Sequence, residues 1–176
     1  MGGTTMSERD VVDPLAMRRT MSRFATGVAV ITALDGGQPH GMTVNSLTSV
    51  SLDPPLLLVC LTTGARTTEA VLNAGRFAVN ILSARQEEIA LRFAKRGVDH
   101  FEGLPLHYGR HRVPVVPEAL AHLECTLERQ FQGGDHTIII GHVEQASDRV
   151  GAPLAFLAGR FGDVVERGSE PEHWFF

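Results

Sequence analysis

The sequence predicts a mainly β chain with a few helices, its strands wrapped into a closed or nearly closed antiparallel barrel. Three observations carry this expectation. Short β-branched and apolar runs recur from Val28 to Val165, punctuated by Gly, Pro and Asp. Hairpin signals at Asp35-Gly36-Gly37 and Gln132-Gly133-Gly134-Asp135 join neighbouring runs. Helical-period segments are few and no repeat is present, and barrel closure removes the edges that many short strands otherwise expose.

Taken in order, residues 1–12 show no period and read as a flexible N-terminal leader. Asp13-Pro14 supplies a helix cap and first-turn proline; Met17, Met21 and Phe24 then share a face, and Gly27 supplies a stop. Val28 to Leu34 is a β-branched strand, and its hairpin leads into Gly41-Met42-Thr43-Val44-Asn45-Ser46-Leu47-Thr48-Ser49-Val50-Ser51-Leu52. Read as one strand, that stretch puts Thr43, Asn45, Leu47, Ser49 and Ser51 on one face, with hydrogen-bonding groups beyond what a hydrophobic face needs. Asp53-Pro54-Pro55 ends it, and Leu56 to Leu61 reads as a run buried on both sides. A short helix, Thr68 to Ala74, closes at Gly75 before the strand Phe77 to Leu82.

Ser83 and Gln86 read as a capping box opening a helix that ends near Gly97, with Ile89 and Phe93 on one face. The Pro-, Gly- and His-rich stretch Val98 to Val116 reads as a lid or dimer-contacting excursion. Ala121 to Phe131 alternates, with Leu123, Cys125 and Leu127 inward and His122, Glu124, Thr126 and Glu128 in solvent. His136 to Glu144 completes a hairpin with it and puts His136, Ile138, Ile140 and His142 on one side. Two last segments, Pro153 to Leu157 and Arg160 to Val165, precede a tail over residues 167–176. One domain over residues 13–166 is expected, because 176 residues at 43% hydrophobic suffice for a single core.

Charge and motifs exclude several classes. A formal net charge of -4 gives no electrostatic basis for binding nucleic acid or an anionic membrane. No apolar run approaches a membrane span and the N-terminus has no apolar signal core, so a cytoplasmic protein is expected. Cys60 and Cys125 fit no metal spacing and read as buried reduced thiols, with a disulfide the less favoured alternative. His107 and His111 flank Gly109 and supply too few ligands, so no metal is expected. GxGxxG after a strand, GxxxxGK[ST], HExxH and GxSxG are all missing from the sequence.

What remains is the hydroxyl-rich stretch and the loop Thr62-Thr63-Gly64-Ala65-Arg66-Thr67, which offers backbone N–H groups and a guanidinium where a helix can begin. That combination suits a phosphate. The same residues also fit a polar barrel edge followed by an ordinary turn.

Thr43-Val44-Asn45-Ser46, Ser49-Val50-Ser51-Leu52-Asp53-Pro54-Pro55, Gly75-Arg76-Phe77-Ala78-Val79-Asn80-Ile81-Leu82 and Gly134-Asp135-His136 with Gly141 resemble the short-chain flavin reductases of two-component monooxygenases. The resemblance runs from Met17 to Phe161. It implies an FMN-binding split barrel, a Greek-key antiparallel β-barrel working as a homodimer. It implies hydride transfer from NADH or NADPH to FMN or FAD, with reduced flavin released to a separate flavin-dependent monooxygenase. An electron-relay or flavin-storage protein of the same fold is the alternative.

The resemblance also assigns residues. Thr43, Val44, Asn45, Ser46, Ser49 and Ser51 would line the flavin, the backbone of Cys60, Leu61 and Thr62 would meet its ring edge, and Arg66 with Thr67 its phosphate. His136 would stand near the nicotinamide as the one catalytic candidate, although it also suits a hairpin cap. Phe93 is a ring neighbour or simply core, Arg66 a phosphate ligand or a solvated loop cation, and Arg160 and Phe161 follow the last strand within reach of a nucleotide. Ala65 stands where the family often has Ser, which removes one expected phosphate hydroxyl.

Overall fold

The computed structural model describes residues 12–165 and Gly168, so most of the expected leader and tail lie outside the described residues. The described chain is mainly β with three helices, and its strands pair antiparallel. Seven strands form the main sheet: β2 (Ala29–Asp35), β3 (Gln38–Val44), β4 (Thr48–Leu52), β5 (Pro55–Thr62), β6 (Arg76–Ile81), β9 (Ala121–Gly133) and β10 (His136–Asp148). Their order is β3-β2-β6-β9-β10-β5-β4. β1 (Thr26–Gly27), β11 (Ala155–Leu157) and β12 (Arg160–Gly162) form a second sheet, and β7 (His107–Tyr108) pairs with β8 (Pro114–Val115).

Among the described residues the backbone ladder is not closed, because β3 and β4 remain its two edges. A side chain works at the gap. Beyond the Thr48–Leu58 pair of β4 and β5, Ser46 Oγ donates to the Cys60 carbonyl at 2.9 Å and accepts from the Cys60 N–H at 3.1 Å. One hydroxyl thus takes the place of a backbone rung.

β2 is buried on both faces and divides two cores. Ala29, Ile31 and Ala33 pack with Leu57, Val59, Leu61, Phe77 and Ile139, and with Ala70 and Val71 of α2 (Arg66–Ala74). Val28 and Val30 pack with Leu82, with Ala90 and Phe93 of α3 (Glu87–Ala94), and with Phe101 and Val116. Asn80, fully buried on β6, ties these layers together. Its Nδ2 donates to the Val30 carbonyl (2.9 Å) and Thr32 Oγ1 (3.1 Å), while its Oδ1 accepts from Val116 N (2.8 Å) and His122 Nδ1 (2.9 Å). Every polar valence of the amide is used.

The stretch from Thr43 to Leu52 is not one strand: it bends at residues 45–47 and carries a bulge between Ser49 and Ser51, so the simple alternation of faces fails. Leu56 to Leu61 buries only Leu57, Val59 and Leu61, while Leu56, Leu58 and Cys60 are half-buried on the outer face. α1 (Pro14–Met21) is capped by Asp13 as its sequence predicts, but it ends at Ser22, and Met17, Met21 and Phe24 are exposed.

Gln86 does bond to Ser83, through Oε1 and the Ser83 N–H (3.0 Å). Gln86 itself, rather than Ser83, is the residue before the helix, and its Nε2 donates to the Pro117 carbonyl (2.7 Å). Glu124 is buried rather than solvated. The chain at Gly109–His111 folds over it, and its carboxylate accepts from the N–H groups of Arg110 (2.8 Å) and His111 (2.7 Å). A Cβ on Gly109 would collide with the Glu124 carboxylate, so glycine permits that approach.

Two consequences are measurable. Asn80→Leu removes all four hydrogen bonds and strands buried partners, so the denaturation midpoint should fall by an amount equal to roughly 3 kcal/mol. Burial, reinforced by Glu144 and Glu124, pushes the Cys125 thiol up to about 12 from an ordinary 9.0. The unfolded chain therefore ionises first, and this stabilisation is complete below 9.0 and lost as pH rises toward 12. Cys125→Ala should show a smaller alkaline loss of stability than the parent in denaturant titrations; an identical loss would contradict the assignment.

Candidate functional site

A cleft of ≈550 Å³ opens where the end of β5, the start of α2, the middle of β3 and the end of α3 converge. Its position follows from a close approach. A Cβ on Gly41 of β3 would sit 2.6 Å from Phe93 Cε1, so glycine is what lets the ring of α3 approach that strand so closely. Thr43 Oγ1 donates to the Ala90 carbonyl at 2.7 Å and fixes α3 along the same strand. Phe93 meets Phe101 edge-on at 5.1 Å and His100 at 5.3 Å, which makes it core and cleft wall together.

The opposite wall is built from the loop after β5. Thr63 N donates to the Asp135 carbonyl (3.1 Å), and Thr68 Oγ1 donates to the Thr62 carbonyl (2.7 Å), tying the loop to the β9–β10 turn and to α2. Gly64 adopts φ +73, a left-handed conformation suited to glycine. Ala65 is the N-cap of α2 and provides no side-chain cap. The first N–H groups of the helix therefore have no internal acceptor and favour an anion.

The charge of the cleft agrees. Arg66, Lys95 and Arg96 line it, and no carboxylate among the described residues does. Arg66 NH2 donates to the Val98 carbonyl at 2.8 Å, which holds its guanidinium in place. Residues 95–102 are pinned in turn, with Arg92 Nε donating to the His100 carbonyl (2.7 Å), Arg92 NH2 to that of Glu102, and His100 Nε2 bonded to the Lys95 carbonyl (2.7 Å). An anionic ligand of a few hundred Å³ suits this site.

The structure gathers only some of the residues singled out from sequence. Thr43, Thr62, Arg66, Thr67 and Phe93 line the cleft. Val44 and Leu61 are core side chains. Ser46 spends its donor and one lone pair on Cys60. Asn45 borders a smaller apolar hollow with Phe24, Leu47 and Ile81, while Ser49 and Ser51 lie on the edge strand β4. Arg160 and Phe161 lie on β12, where Phe161 packs against Phe156 at 5.5 Å, and neither lines the cleft.

His136 pairs with Thr62 across the β10–β5 ladder, beside the cleft. Its Nδ1 bonds Asp135 Oδ1 at 2.7 Å, and that hydrogen bond holds the Asp135 carboxyl below its usual range. Nε2 has no partner among the described residues. The cations Lys95 and Arg96 were missed from sequence, since a helix continuing to Gly97 would have left them as ordinary surface charges. Their signal was Lys-Arg-Gly directly after an apolar helical face.

Comparison with known proteins gives this geometry relatives. Residues 21–164 match the flavin reductase like domain. An NADH-dependent flavin reductase from a Rhodococcus species is 39% identical over 168 residues, 94% of each chain. A probable flavin reductase from Rhizobium meliloti is 47% identical over 76% of this chain, which spans only 43% of that relative's length. Among solved structures, the nitrilotriacetate monooxygenase component B homologue from Mycobacterium thermoresistibile superposes with a TM-score of 0.86 at 35% identity, covering 93% of each chain.

Gly41→Ala forces Phe93 off β3, and overpacking of this kind costs about 1–3 kcal/mol. The expected outcome is a lower melting temperature together with a several-fold weaker Kd for flavin, read by quenching of flavin fluorescence. Unchanged flavin binding would show that the cleft does not depend on this contact.

Proposed function

The chain belongs to the flavin reductase like family, and on that premise we propose that it is an NAD(P)H-dependent flavin reductase that supplies reduced FMN or FAD to a separate monooxygenase. The observation that carries the reading is the acid-free cleft at the uncapped start of α2, where Arg66, Lys95 and Arg96 can meet a flavin phosphate. NADH is favoured as donor by the Rhodococcus relative, and a monooxygenase partner by the component B neighbour.

When bound, the nicotinamide supplies a hydride and the flavin accepts it, so the chain contributes position rather than covalent chemistry. Thr62 and Thr67 offer hydroxyls along one wall, where Thr63 Oγ1 is bonded to Thr137 Oγ1 (3.1 Å), and Phe93 offers an apolar ring on the other. His136, held at Nδ1 by Asp135, is the strand partner of Thr62 beside the cleft and is the residue we assign to the nicotinamide carboxamide. A diffusible flavin requires only moderate affinity, and a site built mainly of neutral hydroxyls suits release.

The reading extends to assembly. On the outer face of the open sheet, Ile138 pairs with Cys60, Ile140 with Leu58 and His142 with Leu56, and Phe131, Val50 and Leu52 are exposed nearby. A second copy covering this face gives the homodimeric split barrel, and brings residues such as Ser49 and Ser51 of β4 toward a shared site. No helix among the described residues is long and apolar enough to cross a membrane, and a cytoplasmic location is part of the same proposal.

Anaerobic stopped-flow absorbance tests the function. Excess FMN or FAD should bleach with multiple turnovers on adding NADH, more slowly with NADPH. A tightly yellow protein that neither nucleotide reduces would instead identify an electron carrier. His136→Ala should raise KM for NADH by about tenfold, or ~1.4 kcal/mol, with little change in KM for flavin. Equal effects on the two would remove its nicotinamide role.

A further inference from the structure

Beside the cleft, on the other side of Arg66, lies a second hollow of ≈400 Å³, between the β2–β3 hairpin and residues 98–100. The two share Gly41, Arg66, Thr67 and His100, so one ligand can extend from the first into the second past a single guanidinium. The Arg66 bond to the Val98 carbonyl fixes that guanidinium on the ridge and leaves its other N–H groups for an anion.

The chemistry changes across the ridge. Among the described residues, the first cleft has three cations and no acid, whereas the second adds the carboxylates of Asp35 and Asp99, together with Gln38 and His40. Each carboxylate is held by one oxygen. Asp35 Oδ2 accepts from Asn73 Nδ2 at 2.9 Å, and Asp99 Oδ1 accepts from Phe101 N at 2.9 Å. The second oxygen of each has no partner among the described residues. Two fixed acceptors beyond a fixed cation match a sugar diol carried one step past a phosphate, since carboxylates accept from hydroxyls and repel phosphate.

The geometry points to the second hollow as the seat of a dinucleotide's adenosine ribose, with the pyrophosphate crossing at Arg66 and the diol held by Asp35 and Asp99. This rests on the flavin reductase reading. FAD and NADH both carry an adenosine diol joined through a pyrophosphate, and both belong to that reaction. A 2′-phosphate in place of the hydroxyl would meet the two carboxylates and be disfavoured.

The test uses the full chain with Gln38→Trp, which fills the hollow, and Asp35→Asn, which removes one acceptor charge at nearly constant shape. Kd for FAD and FMN is read by fluorescence quenching, and KM for NADH and NADPH is read with FMN as acceptor. If FAD is the ligand, the parent binds it about tenfold tighter than FMN and both variants bring the ratio toward one. If NADH is the ligand, its KM rises about tenfold in both variants while the FMN Kd holds, and Asp35→Asn narrows the preference over NADPH. ADP-ribose, which carries the diol and pyrophosphate without a redox ring, should compete with that same ligand in the parent, so the proposal does not depend on either variant folding. Overturning it takes equal affinities for FAD and FMN in the parent with no competition by ADP-ribose. A parent that binds no flavin and oxidises no NADH would instead sink the underlying function.

Discussion

The site depends on the contact between α3 and β3. Gly41 leaves the space, Phe93 fills it, and the Thr43 bond to the Ala90 carbonyl sets the helix along the strand. Because Phe93 also belongs to the core with Val30, Leu82 and Phe101, the position of the cleft wall is fixed by core packing rather than by a loop. The cationic turn after α3 inherits that rigidity through Arg92, which bonds the carbonyls of His100 and Glu102. Charge is thereby delivered opposite the uncapped start of α2, some thirty residues away in sequence.

Buried polar groups hold the remaining layers in register. Asn80 joins β2, β6, β9 and the chain at Val116 with four hydrogen bonds. Glu124 ties down the backbone at Arg110 and His111 and Thr32 Oγ1 donates to the Pro114 carbonyl, so with Asn80 three side chains of the main sheet fasten the long excursion after α3. Satisfied networks of this kind specify one arrangement, since any slip leaves a buried group unpaired. Desolvation lowers the pKa of His122, with Arg149 adding to the effect, so it serves Asn80 as a neutral donor.

Ser46 shows how one hydroxyl can serve architecture and restrict chemistry at once. Its two bonds to Cys60 bridge the place where the ladder between β4 and β5 stops, and leave a single lone pair for any ligand. A hydroxyl-rich stretch therefore signals hydrogen bonding without saying to whom. Some of these groups serve the fold, as Ser46 and Thr43 do, and others such as Thr62 and Thr67 remain along the cleft.

Local chemistry alone determined much of this protein. The hairpins at Gly36-Gly37 and Gly134 form as their φ values require, Asp13 and Gly75 cap their helices, and β9 and β10 pair as their alternation implies. Arg66 and Thr67 line the cleft because they open α2 directly after the loop of small residues, a position readable from local sequence. The bend at residues 45–47, the burial of Glu124 and the arrival of Lys95 and Arg96 in the cleft were not legible. Each depends on a partner distant in sequence: Cys60 for Ser46, the Arg110 and His111 amides for Glu124, and Gly41 for the helix that carries the cations. Sequence period reports which face a residue prefers, while only tertiary packing decides what that face meets.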